Sequence, residues 1–168
     1  MKSQIKIALI VIFCCLSVQQ AKSLPNTSLT NDPNESGVTD DRDFKGSKVW
    51  YSNGGIHARI AFHAAPNLGQ FWFYISVDGD AVADFGVYCT QASFSVKEIV
   101  NGAPSPEIYR GNPTISGNNY DLRVDVRSLG LDKGDHEIRY WFYWLAGGGS
   151  DPDRMPDSGT QQLNARIP

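Results

Sequence analysis

From Lys48 onward, apolar and polar positions alternate in short runs separated by turn residues, the pattern of half-buried strands. In residues 56–62, Ile56, Ala58, Ile60 and Phe62 share one face, with His57, Arg59 and His63 on the other. In 71–78, Phe71, Phe73, Ile75 and Val77 oppose Trp72, Tyr74, Ser76 and Asp78. Residues 82–89 continue with Phe85, Val87 and Cys89 in phase, and 94–100 form a less regular run. In 120–126, Tyr120, Leu122, Val124 and Val126 alternate with Asp121, Arg123 and Asp125. In 136–145, Ile138, Tyr140, Phe142 and Trp144 oppose Glu137, Arg139, Trp141 and Tyr143. Turn signals at Pro66-Asn67, Asp78-Gly79, Asn101-Gly102 and Lys133-Gly134-Asp135 separate the runs. No stretch of helical length carries apolar residues at spacings of three and four. The expected fold is all-β, an immunoglobulin-like antiparallel β-sandwich.

The flanks differ. Residues 1–23 begin with Lys2 and Lys6, continue with an apolar run from Ile7, and end on Ala21 and Ser23, spaced like a cleavage site. This is the layout of a secretory signal peptide, and the run is shorter than the roughly 20 apolar residues of a membrane span. Residues 24–47 hold few large apolar side chains, so they are expected to form a flexible acidic leader whose deletion leaves folding unchanged. Asn26 and Asn34 each open an N-glycosylation sequon there. The sandwich is expected over 48–163, including a loop from Gly147 and a short edge strand near 161–163. Residues 164–168 are expected to be a tail.

The signal carries Lys2, Lys6 and Lys22 and no acid, so its removal takes the formal net charge from −3 to −6. An acidic chain is a poor partner for nucleic acid or an anionic membrane. Cys14 and Cys15 leave with the signal, so Cys89 has no intramolecular partner and is expected to be a buried core thiol, with an intermolecular bridge as the alternative.

Large aromatics in phase with charged residues point to carbohydrate, because the CH-rich face of a pyranose packs flat on an aromatic ring while polar neighbours bond its hydroxyls. The candidate glycan-binding residues are Trp141, Tyr143, Trp72 and Tyr74, with Asp78 on the same face. Arg123, Asp125 and Asp121 are expected to be polar partners from an adjacent strand. With the strands of Trp72 and Trp141 placed in opposite sheets, only one of the two is expected to bind, and Trp141 is favoured. The alternative for either Trp is packing beneath a loop.

Catalysis and cofactors find little support. Asp78, Asp80 and Asp84 read as turn residues rather than a glycosidase carboxylate pair or a calcium loop. His57, His63 and His136 are spaced too widely for one zinc ion. No catalytic residue, metal or cofactor is expected.

The order of segments resembles a known family. Pro66-Asn67-Leu68-Gly69 leads into a strand ending Ile75-Ser76-Val77-Asp78, followed by Phe85-Gly86-Val87-Tyr88. Later, Leu131-Asp132-Lys133-Gly134-Asp135 precedes Ile138-Arg139-Tyr140-Trp141. These segments resemble the N-terminal domain of insect β-1,3-glucan recognition proteins, also called Gram-negative-bacteria-binding proteins (carbohydrate-binding module family 39), in a short, module-only form. The resemblance covers roughly residues 48–163. It implies a secreted, extracellular pattern-recognition protein of innate immunity that binds β-1,3-glucan or related polysaccharide, lipopolysaccharide included. Two positions depart from the family pattern: Val77 replaces a Pro, and Tyr120 stands near where the family has a Trp, which makes Tyr120 a further candidate contact. The rival function is a secreted immunoglobulin-like protein–protein interaction domain using the same aromatics. Retention on curdlan compared with cellulose and chitin discriminates the two.

Overall fold

The computed structural model describes residues 27–33, 42–66, 70–144 and 153–168. In chain order the strands are β1 (Thr27–Asn31), β2 (Phe44–Ser52), β3 (Gly55–Phe62), β4 (Phe71–Ser76), β5 (Phe85–Cys89) and β6 (Phe94–Val100). They continue with β7 (Ala103–Gly111), β8 (Thr114–Ser116), β9 (Asn119–Asp125), β10 (Gly134–Trp144), β11 (Arg154–Met155) and β12 (Gln161–Ile167). One sheet has the order β1-β2-β3-β9-β8. The other runs β11-β10-β4-β5-β6-β7, with β12 also on β10. The order β2-β3-β9-β8 against β12-β10-β4-β5-β6 follows the A-B-E-D and G-F-C-C′-C″ sheets of a variable-type immunoglobulin sandwich. The signal segment 1–23, both sequon asparagines and the glycine-rich residues 145–152 lie outside the described residues.

Alternation explains the layering. The inward positions of β3, β4, β9 and β10 fill one core between the sheets, including Ile60, Phe73, Leu122 and Phe142. Trp144 packs there against Phe62 and Phe71, each with ring centroids 5.9 Å away. Cys89 is also a core residue, its thiol directed at the Val87 carbonyl. Burial raises its pKa well above the usual thiol value.

The boundaries needed correction at both ends. Residues 24–47 are not a leader throughout, because 27–31 form β1 and 44–47 open β2. Phe44 is fully buried, with ring centroids 5.3 Å from Phe62 and 6.0 Å from Phe142. Its N–H donates to Asp153 Oδ2 at 2.7 Å. The segment docks by a main-chain ladder and a polar seam, with Ser28, Thr30 and Ser47 around the Tyr140 hydroxyl. That attachment leaves no apolar periodicity to read. Nor is 164–168 a tail: β12 runs to Ile167 on β10, with Leu163 and Ala165 buried.

Two strands escape the period-two pattern. β7 contains Pro104 and Pro106, which an edge strand tolerates because it need not donate on its open side. β8 is only three residues long. Between β2 and β3 the chain reverses at Asn53-Gly54, both with positive φ (48° and 71°), as an Asn-Gly hairpin turn requires.

Candidate functional site

The outward residues of β4 meet those of both neighbouring strands. Register sets Trp72 between Tyr143 of β10 and Tyr88 of β5, and sets Tyr74 between Trp141 and Gly86. Their rings form a continuous row. Trp72 is 5.0 Å from Tyr88 at an interplanar angle of 51°, and 5.6 Å from Tyr74 at 9°. Tyr74 is 5.4 Å from Trp141 at 25°. Offset and tilted pairs at such separations are mutually stabilising.

Trp72 differs from the rest of the row. It has the expected outward phase, but it is only 9% exposed. Its indole lies over Gly86, where an added Cβ would come within 2.8 Å of two ring carbons. Gly86 is therefore the vacancy that lets Trp72 lie flat. Trp72 is thus the support of the row and not an exposed platform, while Tyr74, Tyr88, Trp141 and Tyr143 remain partly open to solvent. Burial, and secondarily the neighbouring Tyr143, raises the Tyr74 pKa above that of a free phenol.

Polar groups flank the row. Arg139 and Glu137 form an ion pair at 3.3 Å beside Trp141, and Gln162 of β12 stands opposite Arg139. On the far side, Lys97 lies opposite Gly86, and Arg110 pairs with Glu107 at 2.7 Å. Asp78 lies in the exposed turn after β4, accepting from Ser76 Oγ at 3.0 Å and from the Asp80 N–H at 3.1 Å. Those two donors, the Asp80 N–H first, lower its pKa below the usual carboxylate value. Asp80 and Asp84 accept from the Val82 and Val77 N–H groups, so all three carboxylates organise the turn.

Three expected site residues are elsewhere. Arg123, Asp125 and Tyr120 belong to β9, in the other sheet, because the connection from β9 to β10 crosses the sandwich. Arg123 donates to the Asn53 carbonyl at 2.9 Å, and Asp125 caps a single 3-10 turn, Val126–Leu129, by accepting from the Arg127 N–H. Tyr120 is 2% exposed, 5.0 Å from the Phe71 ring, and donates its hydroxyl to the Thr90 carbonyl at 2.8 Å. Asp121, the further expected polar partner, is on the same strand, paired with Arg59. β4 and β10, expected in opposite sheets, are direct neighbours. Trp72, Tyr74, Trp141 and Tyr143 consequently belong to one surface.

Sequence reasoning missed two aromatics. Tyr88 alternates with Val87 and Cys89, so its outward phase was readable. Trp50 follows Val49 and precedes the Asn53-Gly54 turn, which together mark it as an outward residue of a hairpin strand. Among the described residues, no three His, Cys, Asp or Glu side chains are grouped to hold a metal ion. No helix among them is long and apolar enough to cross a membrane. Comparison with protein families, curated proteins and solved structures finds no match to this chain.

Proposed function

We propose that the chain is a secreted pattern-recognition protein that binds β-1,3-glucan or a related microbial polysaccharide and catalyses no reaction. The observation that carries this is the aromatic row Tyr88–Trp72–Tyr74–Trp141, with Tyr143 beside it, spanning three adjacent strands. Sugar rings offer CH-rich faces to such a row, and each stacked ring removes apolar area from water on both partners. Arg139, Glu137 and Gln162 on one flank, with Lys97 on the other, supply donors and acceptors for the hydroxyls. Neighbouring strands are about 4.8 Å apart, so a chain laid across them meets a new aromatic within a few ångströms of the last. The likeness of residues 48–163 to glucan-recognition domains selects β-1,3-glucan among polysaccharides.

The test is co-sedimentation of the protein with insoluble curdlan, cellulose and chitin, with reducing sugar assayed in the supernatant. Preferential retention on curdlan without release of reducing ends is the expected result. Equal retention on all three, or on none, overturns the glucan assignment.

A further inference from the structure

The outer face of the five-stranded sheet carries a second aromatic cluster, and this one is cationic. Register places Trp50 opposite His57 and His57 opposite Arg123, with Lys48, Arg59 and Asp121 aligned in the next row. The Trp50 and His57 rings stack at 5.0 Å and 10°, and Lys48 Nζ lies 5.4 Å from the Trp50 ring. Arg59 grips Asp121 through two hydrogen bonds of 2.7 and 3.0 Å, which neutralises the carboxylate within the groove.

Arg123 is held in advance of any ligand. Its side chain lies across Gly55, where a Cβ would fall 2.5 Å from Nε, and Nη2 donates to the Asn53 carbonyl at 2.9 Å. The fixed guanidinium and the Trp50–His57 pair border an open groove whose other wall includes exposed Asn112 and Thr114, and the exposed Lys48 ammonium lies beyond its lining, over the Trp50 ring. The acidic groups closest in register, Asp121 and Asp125, are both engaged, by Arg59 and by the Arg127 N–H. The groove is therefore a cationic recess on a chain of net charge −3.

We infer that this groove is a second saccharide site, selective for a sugar carrying a sulfate, phosphate or carboxylate. Arg123 binds the anionic substituent, Lys48 beside Trp50 adds positive charge at the rim, Trp50 packs against the ring, and Asn112 and Thr114 meet the hydroxyls. Guanidinium and ammonium groups reward an anion, whereas the uncharged glucan of the opposite face gives them nothing to pair. An extended peptide fits less well. β2, β3 and β9, which carry Trp50, His57 and Arg123, each have neighbours on both sides, and the sheet edge beside the groove is β8, only three residues long, which offers an added strand little main chain to pair with.

The test titrates the whole protein, at physiological salt, with dextran sulfate oligosaccharides, unmodified dextran of equal length, inorganic sulfate and poly-glutamate. Dextran sulfate is expected to bind and the other three to bind at least tenfold more weakly. Trp50→Ala and Arg123→Gln are each expected to weaken it about tenfold, the loss of one stacking or charge-assisted contact, while retaining wild-type binding to curdlan. Carboxymethyl-dextran and phosphorylated dextran then report which substituent is preferred. Equal affinity for poly-glutamate marks a general polyanion or acidic-peptide surface and overturns the inference, as does unchanged dextran sulfate binding by Arg123→Gln. Failure here leaves the curdlan result intact, because the two faces belong to different sheets.

Discussion

Trp72 and Trp141 flank Tyr74 in the same aromatic row, yet truncating them should have opposite consequences. Trp72 is 9% exposed, held between Tyr74 at 5.6 Å and Tyr88 at 5.0 Å, with the Gly86 backbone beneath it. Removing a buried indole costs about 3–5 kcal/mol, a large share of the roughly 5–15 kcal/mol that stabilises a domain. Trp141 has one stacked partner, Tyr74 at 5.4 Å, and is partly exposed. Its loss forfeits one aromatic pair, about 0.5–1.5 kcal/mol, plus partial burial. Trp72→Ala should therefore unfold at a markedly lower urea concentration with an unchanged m value, and Trp141→Ala close to wild type. On curdlan the order reverses: folded Trp141→Ala should bind about tenfold more weakly, the loss of one stacking platform. Equal, small stability losses for both variants would show that Trp72 is not the support described above. Wild-type curdlan affinity in Trp141→Ala would remove the site.

Three further outcomes follow from the packing. Phe44→Ala should cost about 3–5 kcal/mol, and deletion of 24–47 should abolish cooperative unfolding, because Phe44 is fully buried; an intact melting transition in the deletion variant would restore the leader. Gly86→Ala should cost about 1–3 kcal/mol and weaken curdlan binding, since its Cβ would lie 2.8 Å from the Trp72 ring and 3.2 Å from Ile99 Cδ1; full stability and binding would refute that close approach. Burial raises the pKa values of Tyr74, Tyr120 and Tyr140 above 10.0. Above that pH the folded chain holds more protons than the unfolded one, so stability should be complete below about pH 10 and fall as pH rises beyond it. Tyrosinate absorbance from buried Tyr120 and Tyr140 should appear only with loss of β circular dichroism, and their early ionisation in an intact fold would contradict the burial.

Local pattern made the sandwich and the faces of its strands legible, but not their neighbours. Period two in 120–126 and 136–145 placed Leu122 and Phe142 inward and Trp141 outward, because burial on one face enforces alternation. Pairing between β4 and β10 joins residues more than sixty positions apart, and nothing local encodes it. Arg123 seemed a neighbour of Trp141 because β9 precedes β10 in sequence, yet that connection changes sheets. Trp72 shows a second limit. Phase predicts which way a side chain leaves the backbone, not whether a glycine on the next strand lets it lie down and be covered. At the N-terminus, β1 is fixed by backbone hydrogen bonds and hydroxyl groups, which leave no apolar signature.

The outer face of the seven-stranded sheet, centred on Trp141, is the proposed glucan surface. The chain's four tryptophans give it a direct readout. Titration of isotopically labelled protein with a soluble linear β-1,3-glucan oligosaccharide, followed by the indole N–H resonances, separates the surfaces in one experiment. The Trp141 resonance should shift progressively to saturation, while those of Trp144 in the core and Trp50 on the opposite sheet stay in place. A shift of Trp50 with Trp141 unmoved, or no indole shift at all, would contradict the account.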